Sequence, residues 1–435
     1  MKNKTKKTLK LLRDYESRNV TFAAPDGSWP IVWERAQGVH VWNADGKKYL
    51  DLTAAFGVAA AGHANPAVVK AGQRQMAKLL HAMGDVHPHE LKAKLARELS
   101  KITFERWSKS QTSAKTIFCN SGFEAVEAAL KTAMLATGKR GVIAFTGAYH
   151  GLGYGALNAT HRDHFRTSFR TQLRQFCHFA PFPADKKNLI EVESVVRSYF
   201  RKSKFGAILV EPIQARGGIN VPPREFLPLL RKICDEFDAL LILDEIYTGF
   251  GRTGKWFACE HTKTIPDVIC LGKALTGGFP LSACVGRADV MDEAWPPSSG
   301  EAIHTSTFLG HPVGCAMALA QIAEVKKQKL IEQTAARGNF LLNELRAQIS
   351  NSKFQIEIRG AGLMAGLELK TKNGSPATKA SLQIIKDMLH RGYILLPEGE
   401  HANIISFTPP LTISERELAN TLKSLSKVLA GHESK

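Results

Sequence analysis

Short apolar runs alternate with helical stretches along the middle of the chain. Five runs of four or five residues are almost entirely apolar: TIFC, GVIAF, GAILV, ALLIL and DVICL. Helical periodicity occupies residues 122–137, 188–203 and 223–237 between them. Strands that are apolar on both faces are typical of a parallel sheet covered by helices on both sides. The pattern therefore predicts an α/β fold with a large, mainly parallel domain over residues 65–320.

The two ends of the chain have a different pattern. Near the N-terminus, a helical stretch precedes VHVWNADGKKYLDL, whose alternating apolar positions flank a two-residue turn at Asp45-Gly46 and predict a hairpin. After residue 312, two helical segments come before further short elements. These are strands at 354–358, 363–369 and 403–407 and helices at about 377–390 and 414–430. We expect a smaller α+β domain built from both ends, residues 1–64 and 321–435.

Composition and charge narrow the classes of protein. The 435 residues are 44% hydrophobic and 23% charged, which is ordinary for globular proteins. No apolar run approaches the roughly 18 residues of a membrane span, and the basic N-terminus lacks the apolar core of a secretory signal. The formal net charge of +18 is spread thinly, without the signature of a nucleic-acid-binding module. We expect neither a membrane nor a nucleic acid as partner.

Seven cysteines are present, and none is spaced as C-x-x-C. An odd number in apolar surroundings favours buried thiols in a reducing cytoplasm over a disulfide or metal framework. The sequence predicts no metal site.

A glycine motif offers a misleading signal for a dinucleotide site. Residues 249–254 read G-F-G-R-T-G directly after an apolar strand. A dinucleotide fingerprint must open a helix, whereas KWFACEH, which follows directly, has no helical period. We therefore expect no dinucleotide site here.

Three other segments carry candidate chemistry. Asp244 ends the apolar strand ALLIL, and Lys273 follows the strand in DVICLGKALTGG. Ser121 precedes a helix in NSGFEAVEAALKTA, where backbone N–H groups can bind an anion. Taken singly, each also fits a structural role, as a capping residue or as a lysine that reaches solvent. Together they supply what pyridoxal phosphate (PLP) needs: a lysine for a Schiff base, an acid for the pyridinium nitrogen and a cradle for the phosphate.

Over nearly its whole length the chain resembles the class III, or subgroup II, aminotransferases of PLP fold type I. The strongest run is LILDEIYTGFGRTGKWFACEH…PDVICLGKALTGGFPLSACVG. Supporting runs are GAYHG, VEPIQARGG, HTSTFLGHPVGCA, IRGAGLMAGLEL and ISFTPPLTIS. The resemblance implies a homodimer with shared active sites, and PLP as the cofactor.

The resemblance also implies roles for individual residues. Lys273 forms the Schiff base and moves the proton, while Asp244 pairs with the pyridine nitrogen. The implied cofactor-binding residues are Ser121, Gly122, Phe123, Tyr149, His150, Gln214, Asp244, Ile246, Lys273 and Thr307. Tyr149 and Ile246 cover the two ring faces, and Gln214 faces the phenolic oxygen. Thr307 reaches the phosphate of the neighbouring subunit.

One position departs from the family pattern. Many members pair a glutamate, here Glu211, with an arginine in R-F-A-P-P-L that binds the substrate carboxylate. This chain reads ISFTPPL and carries Ser406 at that place, and a hydroxyl cannot replace a planar guanidinium. We therefore assign substrate binding to Glu211 and Arg216. The other arginines considered for the carboxylate are Arg162, Arg166 and Arg359.

The resemblance implies an aminotransferase that moves an amino group from an amine or ω-amino acid to an oxo acid, by way of pyridoxamine phosphate. An ammonia-lyase, decarboxylase or aminomutase on the same framework is the alternative, because fold and cofactor motifs do not choose among these reactions. The sequence leaves open the donor, the acceptor and whether dimers pair into tetramers.

Overall fold

A seven-stranded sheet forms the centre of the molecule, whose computed structural model describes residues 4–25, 27–108, 112–173, 176–349 and 353–433. The strands are, in chain order, β1 (Trp33–Gln37), β2 (His40–Asn43), β3 (Lys48–Asp51), β4 (Ala114–Cys119), β5 (Gly141–Phe145), β6 (Cys177–Ala180), β7 (Phe205–Val210), β8 (Leu240–Asp244), β9 (Val268–Leu271), β10 (Ser282–Arg287), β11 (Gln355–Ala361), β12 (Met364–Lys370), β13 (Tyr393–Ile394), β14 (Leu396–Glu398) and β15 (Ile404–Phe407).

Helices cover the sheets and connect their strands. The α-helices span Lys4–Tyr15, Pro66–Lys78, Glu90–Ile102, Phe104–Trp107, Gly122–Thr137, Tyr154–Ala159, Asp163–Arg166, Asn188–Lys202, Phe226–Glu236, Ala288–Ala294, Pro312–Lys327, Leu330–Gln348, Thr378–His390 and Glu415–Glu433. Short 3-10 turns span Thr167–Phe169, Ala258–His261 and Lys273–Leu275. Within the described ranges, no helix combines the length and the apolar character that crossing a bilayer demands.

The central sheet is mainly parallel, as predicted. Its order is β4-β10-β9-β8-β7-β5-β6, and the neighbours from β9 to β6 pair in parallel. Strand β10 is antiparallel to both β4 and β9, so β4 runs in the same direction as the parallel strands. Strands β7 and β9 are buried at every position. Burial on both faces explains why these strands are continuous apolar runs in the sequence.

Two four-stranded sheets complete the fold. One has the order β1-β2-β3-β13, in which β13 from the C-terminal region pairs in parallel with β3 near the N-terminus. The other, β11-β12-β15-β14, is antiparallel throughout. Because β3 and β13 share a sheet, the prediction that both chain ends build a smaller α+β part is confirmed. The boundaries 1–64, 65–320 and 321–435 stay predictions.

The predicted hairpin is formed by β2 and β3, but its turn is one residue longer than predicted. The backbone N–H of Asn43 donates to Lys47 O over 3.0 Å, which leaves three residues in the loop. The side-chain Oδ1 of Asn43 accepts from the N–H groups of Asp45 and Lys47, at 3.2 and 2.8 Å. An asparagine that caps its own turn in this way stabilises the longer loop.

Residues 249–254, the G-x-G-x-x-G segment, lie in turns. The next regular element is the 3-10 turn Ala258–His261, so the glycines open no α-helix. The segment therefore lacks the helix start that a dinucleotide fingerprint requires.

Candidate active site

The carboxyl ends of five strands with the same direction meet at one edge of the central sheet. Ligands of open α/β sheets bind at this edge. The side chains predicted from the sequence stand there: Ser121 and Gly122 after β4, Tyr149 and His150 after β5, Glu211 after β7, Asp244 at the end of β8, and Lys273 after β9. Strand direction therefore brings together residues that are far apart along the chain.

Asp244 is held by two hydrogen bonds. His150 Nδ1 lies 2.8 Å from Oδ2, and the backbone N–H of Ile246 donates to Oδ1 over 3.1 Å. A carboxylate only accepts hydrogen bonds, so Nδ1 of the imidazole is the donor. His150 and Asp244 are 2% and 5% exposed. A buried acid with a fixed orientation suits a partner that carries a positive charge.

Lys273 begins a 3-10 turn in a strained backbone conformation. Its φ is +42°, a region that residues other than glycine enter rarely and mainly where function requires it. The side chain retains some access through the cleft, yet burial lowers the pKa of its amine. Asp244 and Glu211 oppose this shift by their negative charges. A lysine in such surroundings has a larger fraction of the nucleophilic, neutral amine at a given pH.

Ser121 caps the Gly122–Thr137 helix beside these groups. Glu124 accepts from the backbone N–H groups of Asn120 and Ser121, at 2.6 and 3.0 Å. The hydroxyl of Ser121 is buried and faces the Glu124 N–H in a capping box, and in the described parts of the chain its proton has no acceptor. A Cβ on Gly122 would lie 3.0 Å from Cδ1 of Ile246, so the backbone comes close to that side chain. The free hydroxyl and the helix N-terminus can together receive an anion.

Glu211 is buried next to Asp244 and His150. Its carboxylate accepts from the backbone N–H groups of Tyr149 and Ala215, at 3.1 and 3.2 Å. Burial raises the pKa of Glu211 to about 7, and the nearby Asp244 adds to the effect. Glu211 therefore changes charge near neutral pH while it remains tied to two backbone groups.

Three of the predicted cofactor-binding residues are either bonded to other protein groups or exposed. The Gln214 amide donates to Thr146 O over 2.7 Å and accepts from the Asn220 side chain over 3.0 Å, so both ends already have partners. Phe123 is 39% exposed on the first turn of its helix. Thr307 is exposed, and its neighbour Ser306 accepts from Asn120 at 3.4 Å. The assigned roles of Gln214, Phe123 and Thr307 stay predictions.

Ser406 is unsuited to a substrate carboxylate. It is 3% exposed in β15, and its hydroxyl donates to Leu396 O over 3.1 Å. Arg359 is also engaged elsewhere, because it bonds to Gly218 O and to Glu368. The Arg166 guanidinium lies 5.0 Å from the ring of Phe179. Arg216, in contrast, lies 5.9 Å from the ring of Tyr149 at the site.

Sequence reasoning missed two residues of the site. Tyr247 lies under the lysine, with Lys273 Nζ 4.6 Å from its ring centroid. It follows Asp244 by three residues in the DEIY run, and this short spacing could have indicated that Tyr247 lies at the site. Glu398 ends β14 and lies 3.3 Å from Arg216. No local pattern indicates Glu398, because its neighbours in the site come from another sheet.

The chain is similar to known proteins over most of its length. The family model described as class III aminotransferase matches residues 21–429. The chain is 34% identical over 399 residues to an acetylornithine aminotransferase of Methanosarcina mazei, with 92% of each chain covered. It is 37% identical over 412 residues to a putrescine aminotransferase of Pectobacterium atrosepticum, covering 93% of this chain and 83% of the relative.

Solved structures of other transaminases have the same fold. An amine transaminase from an uncultivated Pseudomonas species, solved in a PLP-bound form, superposes with a TM-score of 0.87 at 27% identity. The match covers 95% of this chain and 98% of that one. A transaminase from a marine Virgibacillus has a TM-score of 0.90 at 23% identity, covering 98% and 99%, and supports the fold.

Proposed function

We propose, because this chain belongs to the class III aminotransferase family, that its Lys273 site moves an amino group from an amine or ω-amino acid to an oxo acid. Membership makes the protein a PLP-dependent aminotransferase of fold type I. The observation that carries the proposal is the partly buried Lys273 amine, placed beside the fixed carboxylate of Asp244.

The residues of the site fit PLP. The buried hydroxyl of Ser121, whose proton has no acceptor in the described ranges, is available to a phosphate at the start of its helix. The buried carboxylate of Asp244 suits a protonated ring nitrogen, and Lys273 supplies the amine for a Schiff base. When bound, PLP carries the amino group between the substrates and accepts electron density from the substrate carbon.

The side chains divide the remaining work. The negative charge of Asp244 stabilises the positive charge of a protonated ring nitrogen. His150 fixes the orientation of the Asp244 carboxylate through its hydrogen bond. Tyr149 and Ile246 cover the two faces of a flat ring, and Lys273 takes the proton from the substrate carbon that bears the nitrogen. The lowered pKa of Lys273 suits this role, because a neutral amine is the form that accepts a proton.

The names of the relatives support a donor with an amine at the end of an alkyl chain. Acetylornithine and putrescine each carry such an amine, and the relatives named for them cover most of this chain. The carboxylate that many members bind through an arginine cannot be held by Ser406, which is buried and bonded to Leu396. A donor without a carboxylate near its amine needs no such arginine, so we propose an amine or ω-amino acid as donor.

The decisive experiment is an absorbance titration of the PLP-loaded protein with amines and amino acids, without oxo acid and with ammonia assayed in parallel. We expect the cofactor band to convert to the pyridoxamine form and to remain there until an oxo acid restores it. A band that returns without an oxo acid while ammonia accumulates would instead identify the ammonia-lyase alternative. Release of carbon dioxide or an isomerised product would identify a decarboxylase or an aminomutase.

We propose a homodimer, because an apolar face lies directly beside the phosphate-binding residues. Segment 79–87 packs against segment 303–311, through Thr305 Oγ1 to Asp85 at 2.6 Å and His81 against Phe308 at 5.4 Å. Exposed apolar side chains project from both segments: Leu80, Met83, Val86, Ile303 and Phe308 are 50–75% exposed. A second copy that covers this face would bring its Thr307 towards the site.

Light scattering tests the dimer. Phe308→Glu places a charge on the apolar face and is expected to raise the monomer fraction, whereas Leu11→Glu, on the exposed N-terminal helix, is the matched control. A wild-type protein that is monomeric at micromolar concentration would contradict the proposal.

The cytoplasmic location is proposed on separate grounds, because all seven cysteines are free and buried, as expected for a reducing compartment.

A further inference from the structure

Residues 54–57 form a left-handed turn shortly after β3. Ala54, Ala55 and Phe56 have φ values of +47°, +49° and +62°, and Gly57 continues the turn at +82°. Residues other than glycine pay a free-energy cost in this conformation, because Cβ comes too close to the following carbonyl oxygen. A turn of this kind persists only where surrounding contacts hold it, so the structure must supply such contacts.

Asp51, the last residue of β3, supplies several of them. Its side chain is fully buried. Oδ1 accepts from the backbone N–H and from the hydroxyl of Thr53, at 2.8 and 2.6 Å. Oδ2 accepts from the backbone N–H of Ala55 over 3.1 Å and from Nε2 of His63 over 2.7 Å. Four hydrogen bonds satisfy both oxygens of the carboxylate, and three of them come from the residues that lead into the turn or lie within it.

The turn in its place packs on the ring under Lys273. A Cβ on Gly57 would lie 3.0 Å from Cε1 of Tyr247, so the backbone of the turn touches this ring and leaves no room for a side chain. Lys273 Nζ lies 4.6 Å from the centroid of the same ring. The ring of Tyr247 therefore connects the strained turn to the amine that the proposed function uses.

We propose that Asp51 is a positioning residue: it holds the left-handed turn against Tyr247, and the turn keeps the Tyr247 ring under the Lys273 amine. The hydrogen bonds of Asp51 offset the strain of the turn, which would otherwise relax and release the ring. This inference rests on the proposed role of Lys273 and adds a residue that acts on it through the backbone of another segment.

The test measures how fast PLP attaches to Lys273, by stopped-flow absorbance after PLP is added to the cofactor-free protein. Asp51→Asn keeps the shape of the side chain, but its NH₂ group cannot accept from the N–H groups that it faces. We expect this variant to attach PLP roughly 10- to 100-fold more slowly, the scale on which misplacement of a reacting group slows a reaction.

Asp267→Asn is the matched control for a buried carboxylate. Asp267 is 2% exposed and accepts from the backbone N–H of Leu241 over 2.8 Å. It precedes β9, whereas Lys273 follows that strand, so the two residues lie at opposite ends of it. We expect Asp267→Asn to lower the stability of the fold and to keep the attachment rate of the wild type.

A glycine in the turn should restore the rate without restoring the charge of Asp51. Ala55→Gly removes the strain at this position, because glycine adopts a positive φ without steric cost. The double variant Asp51→Asn/Ala55→Gly should attach PLP about 5- to 30-fold faster than Asp51→Asn, up to the wild-type rate, which is the cost of one left-handed residue expressed as a ratio of populations. Ala402→Gly relieves an alanine with a φ of +52° in the turn between β14 and β15, and should not rescue Asp51→Asn.

Two further variants test the contact between the turn and the ring. Gly57→Ala places a methyl group 3.0 Å from Cε1 of Tyr247, so it should slow attachment by displacing the ring, and Ala55→Gly should not reverse this effect. Tyr247→Leu removes the ring altogether. Adding Asp51→Asn to Tyr247→Leu should slow attachment further by less than about threefold, because substitutions that act through one contact are not additive.

Circular dichroism and denaturant unfolding establish that each variant folds. If Asp51→Asn does not, Thr53→Val replaces it in the test, since this variant removes one of the four hydrogen bonds and keeps the charge. Thr53→Val should slow attachment less, and Ala55→Gly should again restore the rate. A wild-type rate in Asp51→Asn, no rescue by Ala55→Gly, or equal rescue by Ala402→Gly would overturn the proposal.

Failure of the proposed role of Lys273 has a different signature. PLP would then attach to another residue in the wild type, and mass spectrometry of the borohydride-reduced, digested protein would locate it there. Failure of the inference about Asp51 leaves the cofactor on Lys273 in the wild type and changes only the rates of the variants.

Discussion

His150 and Asp244 meet beneath the site, with His150 Nδ1 2.8 Å from Asp244 Oδ2 and both side chains almost fully buried. The second oxygen of Asp244 is bound to the backbone N–H of Ile246. Each carboxylate oxygen therefore has a protein partner, and the plane of the carboxylate is fixed. The charge that we propose to face the cofactor ring is therefore held in place by the protein's own hydrogen bonds.

Changing Asp244 to asparagine should remove this charge and keep the shape. We expect Asp244→Asn to lower kcat by on the order of 100-fold or more, the scale on which one positioned electrostatic group contributes to a rate. His150→Leu keeps the charge of Asp244 but removes the hydrogen bond that His150 donates to it. We expect this variant to lower the free energy of unfolding by about 1–3 kcal/mol. Steady-state kinetics and denaturant unfolding measure the two effects. An Asp244→Asn variant that turns over at a near-normal rate would mean that another acid faces the ring nitrogen.

Replacing Lys273 should abolish the covalent link to the cofactor. We expect Lys273→Arg to bind PLP without a Schiff base and to lose turnover by on the order of 1,000-fold or more, because a guanidinium is not a nucleophile at ordinary pH. Mass spectrometry after borohydride reduction checks this, since only an enzyme with the link gains the mass of the cofactor. Lys255→Arg, at an exposed lysine, is the matched control. Retained labelling in Lys273→Arg would place the link on another lysine.

The sequence predicted the strand-end residues well because a parallel sheet brings strand ends together without further information. Asp244 and Lys273 each follow an apolar run, and the shared direction of β8 and β9 places them at one edge. Glu398 escaped prediction because its partner Arg216 lies in the turn after β7, a strand of another sheet, and no local spacing records that contact. The strand β13 escaped for a similar reason, since its two residues become a strand only by pairing with β3.

A left-handed turn at 54–57 was also missed. Ala54, Ala55 and Phe56 have φ values of +47°, +49° and +62°, although none is a residue that favours this region. Their sequence therefore carries no turn signal. The turn packs on the site, because a Cβ on Gly57 would lie 3.0 Å from Cε1 of Tyr247. Strain of this kind persists where surrounding structure fixes it, and here it is adjacent to the ring under Lys273.

The ring of Tyr247 should position the Lys273 amine, which lies 4.6 Å from its centroid. Thr408 Oγ1 donates to Thr53 O over 3.3 Å, so it accepts the hydrogen of the Tyr247 hydroxyl over 3.1 Å. Burial raises the pKa of Tyr247 to about 12, and the phenol stays neutral. We expect Tyr247→Leu to slow the attachment of PLP to Lys273 by roughly 10- to 100-fold, the scale on which misplacement of a reacting group slows a reaction.

Tyr247→Phe separates the ring from the hydroxyl. It keeps the face that Lys273 contacts and loses only the bond to Thr408, so its attachment rate should stay near that of the wild type. Stopped-flow absorbance after PLP is added to the cofactor-free protein measures the rate in each variant. Equal slowing in Tyr247→Phe and Tyr247→Leu would assign the effect to the hydroxyl instead of the ring.

Glu245 should make the fold less stable as the pH rises towards neutrality. It is completely buried, it accepts from the backbone N–H groups of Ala258 and Cys259 at 2.9 and 2.8 Å, and burial raises its pKa from 4.5 to about 7. Because the folded state binds this proton more tightly than the unfolded state, the stabilisation is fully present below pH 4.5. It is lost as the pH rises through about 7, with a size on the order of 3 kcal/mol.

Glu245→Gln has no proton to lose over this range, so its free energy of unfolding should depend less steeply on pH between 5 and 8. Part of the slope should remain, because burial raises the pKa values of Glu211 and Glu398 in the same direction. Denaturant unfolding at several pH values gives the slopes, and Glu332→Gln, at an exposed glutamate, is the matched control. Only the slopes are compared, because the substitution also lowers the free energy of unfolding at every pH. The NH₂ group of the glutamine must face a backbone N–H group that Glu245 accepts from in the wild type. Equal slopes in Glu245→Gln and the wild type would mean that Glu245 keeps its charge throughout. Its hydrogen bonds from Ala258, Cys259 and the Thr248 hydroxyl would then outweigh the effect of its burial.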